Sequence, residues 1–312
     1  MNKVISNIIN EVEKVIVGKR GVIEKILTSI LADGHILLDD VPGIGKTTMA
    51  VALSRVLGLK FGRIQFTPDV LPSDITGFSM YNKSRDAFIY KPGIAVGVNL
   101  LLGDEINRTS SKTQSALLEA MEEGQVTVDG HAHTLKNPFI VIATQNNVGT
   151  AGTQLLPYAQ LDRFLIKLSI GYPDRQSEIE VICGRQTANP VESIACIATV
   201  EDVANMQQEV LSITVKDSIV DYIVRLAEAT RNHEMLELGI SPRGSLFINK
   251  MAKAKAYIIG RDYVIPEDVQ HVFSDVCAHR VILSQAAKAS KITAAQVLCN
   301  LLDQVSVPDG MR

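Results

Sequence analysis

The chain has 312 residues, and 31 Lys and Arg against 34 Asp and Glu leave a formal charge of −3. Hydrophobic residues make up 46% and charged residues 21%, which excludes a disordered, collagen-like or coiled-coil chain and supplies apolar surface for one large or two modest domains. The near-neutral balance gives no ground to expect a nucleic-acid or membrane surface, and no stretch approaches the ~18 to 20 uninterrupted apolar residues of a membrane span, so a cytoplasmic protein is expected.

Two amphipathic helices come first. Val4, Ile5, Ile8, Ile9 and Val12 recur at helical spacing, and Val22, Ile23, Ile26, Leu27 and Ile30 repeat the pattern after Gly18. Five short β-rich runs follow, at His35 to Asp39, Phe61 to Phe66, Asn99 to Leu102, Phe139 to Ala143 and Phe164 to Ser169, separated mostly by helical patterns. Near-continuous apolar strands alternating with helices predict an α/β fold, a parallel sheet covered on both faces. Thr76 to Tyr90 and Gln125 to Leu135 interrupt the alternation as small hairpins or loops, the second with an Asp129-Gly130 turn. Beyond Gly171 to Asp174 the strand signal nearly vanishes and helical periods run to Gln304, which places a domain boundary near Pro173. The four cysteines, Cys183, Cys196, Cys277 and Cys299, have no metal-ligand spacing and are expected to be reduced, packed thiols.

The first chemistry-bearing motif lies at the end of the first strand, where Pro42, Gly43, Ile44 and Gly45 lead into Lys46, Thr47 and Thr48 at the start of a helix. This is P-loop architecture. Glycines let backbone N–H groups turn inward around phosphate oxygens, and the helix directs the positive end of its dipole at the same anion. Lys46 would then reach the β and γ phosphates, and Thr47 would ligate Mg²⁺. The strict pattern has Gly at position 40, where this chain has Asp40.

The third strand ends in Asp104 and Glu105, a Walker B pattern. A buried strand that terminates in adjacent carboxylates needs a counter-charge, which Mg²⁺ and a polarised water would supply: Asp104 holds the metal and Glu105 activates the attacking water. Asn146 closes the fourth strand, either beside the γ phosphate or as a turn former. Arg163, directly before the fifth strand, lies far from its own P-loop if the strands are ordered as in other P-loop proteins. It would serve a neighbouring subunit's nucleotide, or else pair with a surface acid. Ser241 and Pro242 open a helix and leave Arg243 in its first turn, suited to phosphate contact or simply exposed.

The ordered set of P-loop, acidic strand end, strand-end Asn and the two arginines resembles the AAA+ ATPases, and within them the MoxR family. The most specific stretches are Asp104 to Arg108, Lys112 to Met121, Glu123 to Gly130, Ala143 to Asn146, Ala159 to Phe164 and Gly260 to Val264. The resemblance implies a P-loop AAA+ domain with a five-stranded parallel sheet over residues 1–172, followed by an all-helical lid over 173–312. It gives Asn146 the sensor 1 role, Arg163 the arginine-finger role and Arg243 the sensor 2 role, and it sets Val17 and Gly18 beside the adenine. The interruptions at about 76–90 and 125–135 look like the helix 2 insert and pre-sensor 1 hairpin, which line the central pore of related machines. Arg108 receives no role from its chemistry. Asn147 stands where the family often has Pro and Tyr158 where Glu is usual; neither removes a catalytic group.

The activity so implied is Mg²⁺-dependent ATP hydrolysis by a homo-oligomeric ring of six, acting as a chaperone-like remodelling or metal-cofactor-insertion factor. A von Willebrand factor A domain protein and a protein client are the implied partners. A nucleic-acid or chelatase-type motor subunit is a second reading, set back by the charge balance and by the absence of an aromatic ladder; on the leading reading the basic residues Lys250, Lys253, Lys255 and Arg261 form a solvated helix face. A slow nucleotide-gated switch is a third. His131 and His133 alternate on a possible strand but lack a third ligand, and are read as solvated histidines rather than a metal site.

Overall fold

The computed structural model describes residues 2–146, 156–184 and 190–308; Asn147 lies outside them. The chain opens with α1 (Lys3–Glu13) and α2 (Arg20–Leu31), whose buried stripes are Ile5, Ile8, Ile9 and Val12, then Ile23, Ile26, Leu27, Ile30 and Leu31. It continues through β1 (Ile36–Asp39), α3 (Lys46–Val56), β2 (Phe61–Gln65), α4 (Pro72–Thr76), β3 (Gly77–Asn82), β4 (Ala87–Pro92), β5 (Leu100–Asp104) and α5 (Ser111–Glu123). Next come β6 (Gln125–Val128), β7 (His131–Thr134), β8 (Ile140–Gln145), α6 (Tyr158–Leu161), β9 (Ile166–Leu168) and α7 (Arg175–Gly184).

Five of these strands form one parallel sheet in the order β2-β5-β8-β1-β9, as the alternation of strand and helix predicts. β5 and β8 are buried along their whole length, which is why both read as unbroken apolar runs instead of alternating ones. Because the strands are parallel, all their C-terminal ends emerge at one edge. β1 lies next to β8, and β8 next to β5, so the segments after Asp39, Gln145 and Asp104 meet at the middle of that edge.

Both interruptions are hairpins. β3 pairs antiparallel with β4, and β6 with β7 across Asp129 (φ 50°) and Gly130 (φ 78°), the left-handed pair that a two-residue hairpin turn requires. The hairpins meet where His133 stacks on Tyr90, with ring centroids 3.7 Å apart and planes 9° from parallel. Among the described residues no cluster of three or more His, Cys, Asp or Glu could hold a metal ion.

The remainder is helical: α8 (Val200–Ser212), α9 (Asp217–Arg231), α10 (Pro242–Ile259), α11 (Pro266–Cys277), α12 (Gln285–Ala289) and α13 (Ala294–Gln304), with one short antiparallel pair, β10 (Leu236–Leu238) and β11 (Ile282–Leu283). Ser241 caps α10 by accepting from the Gly244 N–H, with Pro242 at the first helical position. A single apolar core runs from α1 and α2 through one face of the sheet into these helices, and α2 packs directly on α8 and α10. Two expectations need correction. Lys255 is buried and paired with Glu24, Arg261 is paired with Asp268, and Lys253 donates to the Leu211 carbonyl, so these cations join elements rather than form a solvated face. Of the cysteines only Cys277 is packed, its thiol pushed up to about 12 by burial; Cys183, Cys196 and Cys299 are exposed, and all four are free.

Candidate functional site

The sheet edge opens into a cleft of about 620 Å³ lined at one end by Gly43 to Thr48, Asp104, Glu105 and Asn146, and at the other by Val15 to Val17 and Ile170 to Pro173. Gly43 (φ 86°) and Gly45 (φ 95°) occupy left-handed backbone that an L side chain would strain, and this turns the loop so that α3 starts at Lys46. Among the described residues no acceptor meets the backbone N–H groups of Gly43 to Thr47. An open ring of donors at a helix N-terminus is an anion cradle.

Lys46 is buried and donates to the Asp40 carbonyl (2.7 Å), the Gln145 carbonyl (3.3 Å) and Asn146 Oδ1 (2.5 Å). Burial lowers its pKa, opposed by the nearby carboxylates of Asp40, Asp104, Asp39 and Glu105. Thr47 Oγ1 lies 3.4 Å from Asp104 Oδ2, so a hydroxyl and a carboxylate oxygen converge where Mg²⁺ would need hard oxygen ligands. The unpartnered amides and this oxygen pair fit a triphosphate with its metal.

Glu105 has φ 58° and ψ 49°, left-handed values that cost a non-glycine residue about 1 kcal/mol or more and that mark functional positions. Its conformation is held by Thr144, whose hydroxyl accepts from the Glu105 N–H (3.0 Å) and donates to Asp104 Oδ1 (3.1 Å). Asn146 Nδ2 donates to Glu105 Oε1 at 2.8 Å, while Gln65 Nε2 and Arg108 Nη1 donate to Oε2 at 3.0 and 2.6 Å. Asn146 therefore touches both Lys46 and Glu105, and its own carbonyl is held by Asn107 Nδ2.

The predicted residues around the phosphate end come together; the two arginines do not join them. Arg163 Nε pairs with Glu122 Oε2 at 3.1 Å, and Arg243 donates to Glu122 Oε1, so both cations share one acid on α5 and neither lines the cleft. At the base end Val17 lines the cleft, and Gly18 stands against α7, where an added Cβ would fall 2.2 Å from Ser177 Oγ. Tyr158 opens α6 with half its surface exposed.

A family model described as "ATPase family associated with various cellular activities (AAA)" matches residues 35–166, and an AAA lid domain matches 228–300. The chain is 41% identical to chaperone MoxR1 of Mycobacterium tuberculosis over 307 residues, 96% of this chain and 81% of that one. The chain belongs to the MoxR family of AAA+ ATPases. Its fold is accordingly a P-loop AAA+ domain with a helical lid, not the all-helical lid expected, because it carries the short β10–β11 pair. This MoxR-family chain is also 47% identical to the Bacillus subtilis protein YeaC, over 99% of its own length and 96% of YeaC. A crystal structure from Cytophaga hutchinsonii, described as a candidate ATPase, superposes with a TM-score of 0.89 at 39% identity, covering 98% of this chain and 95% of that one.

Several residues of the site escape a reading of the sequence. Arg63 contacts Asp104 Oδ2 through Nε (2.9 Å) and Nη2 (2.8 Å), and Gln65 reaches Glu105, both from β2. The available signal was the pair of polar side chains two apart near the end of a strand, which puts them on one face, but only the β2-β5 pairing reveals which face. Arg108 and Thr144 lie inside motifs whose function is otherwise legible, and their roles emerge from contacts with Glu105 and Asp104.

Proposed function

We propose that the chain is a Mg²⁺-dependent ATPase that assembles into a cytoplasmic ring of six copies and hydrolyses ATP in a cleft that each neighbour completes with Arg163. One observation carries this reading: Lys46, Glu105 and Asn146 are already hydrogen-bonded at a single point, whereas Arg163 is held on Glu122, outside the same cleft. Bound Mg²⁺, held by Thr47 and Asp104, would neutralise charge on the β and γ phosphates. Lys46 would exchange Asn146 Oδ1 for a phosphate oxygen, and Glu105, oriented by Asn146 and Thr144, would take the proton of the attacking water. Arg243 shares the acid that holds Arg163, so both would face the neighbouring copy's nucleotide.

Residues 1–172 would form the nucleotide-binding unit and 173–312 the lid, with the two hairpins facing the pore. The chaperone-like remodelling role is supported by the chaperone designation of MoxR1; the von Willebrand factor A domain partner and the metal-cofactor-dependent client rest on the resemblance alone. The nucleic-acid motor loses ground because Lys255 and Arg261 are committed to Glu24 and Asp268. Steady-state ATPase measured across a dilution series tests the reading: activity per chain should rise with protein concentration, and Glu105→Gln should retain bound ATP. Full activity per chain at a dilution where only monomers exist would rule out the shared site.

A further inference from the structure

Asp40 departs from the glycine of the strict P-loop pattern, and its side chain has no part in the proposed phosphate chemistry. β1 and β9 run side by side in register, Leu38 opposite Leu168, and then diverge: β1 continues into the phosphate loop, and β9 into the chain from Ile170 to Pro173 that lines the base end of the cleft. Past the last rung of the ladder the N–H groups of Ile170 and Gly171 have no strand carbonyl opposite them, and Asp40 takes them instead. Its Oδ2 accepts from Ile170 N (2.5 Å), Gly171 N (3.0 Å) and Ser169 Oγ (2.9 Å). Its Oδ1 accepts from Val41 N (3.3 Å), its N–H donates to the Gln145 carbonyl (3.3 Å), and its carbonyl accepts from Lys46 (2.7 Å). Glycine could make the two main-chain contacts but none of the four side-chain ones.

We infer that Asp40 is a positioning residue that staples the base-side wall of the cleft to the phosphate loop and so makes the site selective for a whole nucleoside triphosphate over a bare polyphosphate. The inference rests on the proposed nucleotide site and adds the means by which its two halves are kept in register. Lys46 and the loop amides need no help from Oδ2 to hold phosphates. The base and ribose, in contrast, contact a segment whose backbone is anchored by that oxygen, with Lys19 donating to the Tyr172 carbonyl (2.7 Å) as its other tie.

Calorimetric titration with MgATP and with magnesium tripolyphosphate separates the two halves. Asp40→Ala removes all four hydrogen bonds to the carboxylate, three of them from the base-side wall, and about a ten-fold loss of ATP affinity is expected, with tripolyphosphate affinity kept within about two-fold. Asp40→Asn, which keeps an acceptor oxygen and loses the charge, should show a smaller loss of the same kind, and Ser169→Ala the smallest. Equal losses for both ligands, or no loss for either, in Asp40→Asn and Ser169→Ala would overturn the inference even if Asp40→Ala fails to fold. A wild-type chain that binds neither ligand would instead overturn the nucleotide site itself, and this inference with it.

Discussion

The phosphate end of the cleft and the arginine edge are built by opposite means. Asp104, Glu105 and Asn146 lie at or just past the ends of adjacent buried strands and Lys46 opens α3; Asn146 is hydrogen-bonded to both Lys46 and Glu105, and Asp104 to Thr47 and Thr144. Arg163, in the turn after α6, and Arg243, on α10, lie at the margin, about one third exposed each, and share one glutamate exposed to a similar degree. A parallel sheet fixes its strand ends to a fraction of an ångström through ladder and core, while a surface ion pair of this kind is worth only about 0.2 to 1 kcal/mol. A single chain thus assembles the binding half of a hydrolytic site rigidly and holds the other half loosely.

The sharpest way to break that comparison is Arg163→Ala. If the arginine acts only across a shared cleft, ATP affinity measured by calorimetry should be unchanged, while turnover falls about 10³-fold or more, the effect of removing an arginine finger in GTPases. A matching loss of ATP affinity would mean that Arg163 belongs to the binding half after all.

The two regions also differ in what anchors them against acid. Asp162, next to Arg163, accepts from Arg280 Nε at 2.8 Å and from Ser241 Oγ at 3.0 Å; Arg280 is buried and also engages the carbonyls of Phe164 and Leu165. His279 lies against Arg280, and its pKa is driven well below the ordinary value, first by burial and then by the adjacent guanidinium. A histidine held neutral in the folded chain contributes stability above its unfolded pKa of about 6.5 and loses it as pH falls, by up to about 1.4 kcal/mol per pH unit. Between pH 6.5 and 5.5, denaturant titration should therefore show wild type losing about 1 kcal/mol more than His279→Gln. Equal losses would show that His279 is not the residue through which acid loosens this margin.

What the sequence made legible divides along the same line. The P-loop, the acidic strand end and Asn146 could be read because each is a local pattern, and the parallel sheet then brings local patterns to one edge. Gln65 and Arg63 could not be assigned, because their partners Glu105 and Asp104 lie about forty residues away and only strand pairing joins them. The burial of Lys255 on Glu24 was hidden for a similar reason: its acid lies on α2, at the opposite end of the chain, and a lysine on a helix reads as solvated until its neighbour is known. Cys183 and Cys299 erred the other way, since residue type suggests burial but their positions on α7 and α13 face outward.

The smallest expected effect on turnover bears on how loosely the margin is held. Glu122 keeps Arg163 and Arg243 on its two oxygens, yet it is itself 38% exposed, so releasing both arginines toward a neighbour should cost no more than about 1 kcal/mol per pair. Glu122→Gln keeps the side chain's shape and removes that competition. The protein concentration giving half-maximal ATPase should then fall, by no more than about thirty-fold for the two pairs together, with the plateau rate unchanged, as read from a dilution series of wild type and variant side by side. A collapse of the plateau rate comparable to that of Arg163→Ala would give Glu122 a part in turnover itself, and the shared acid would then position the arginines instead of merely detaining them.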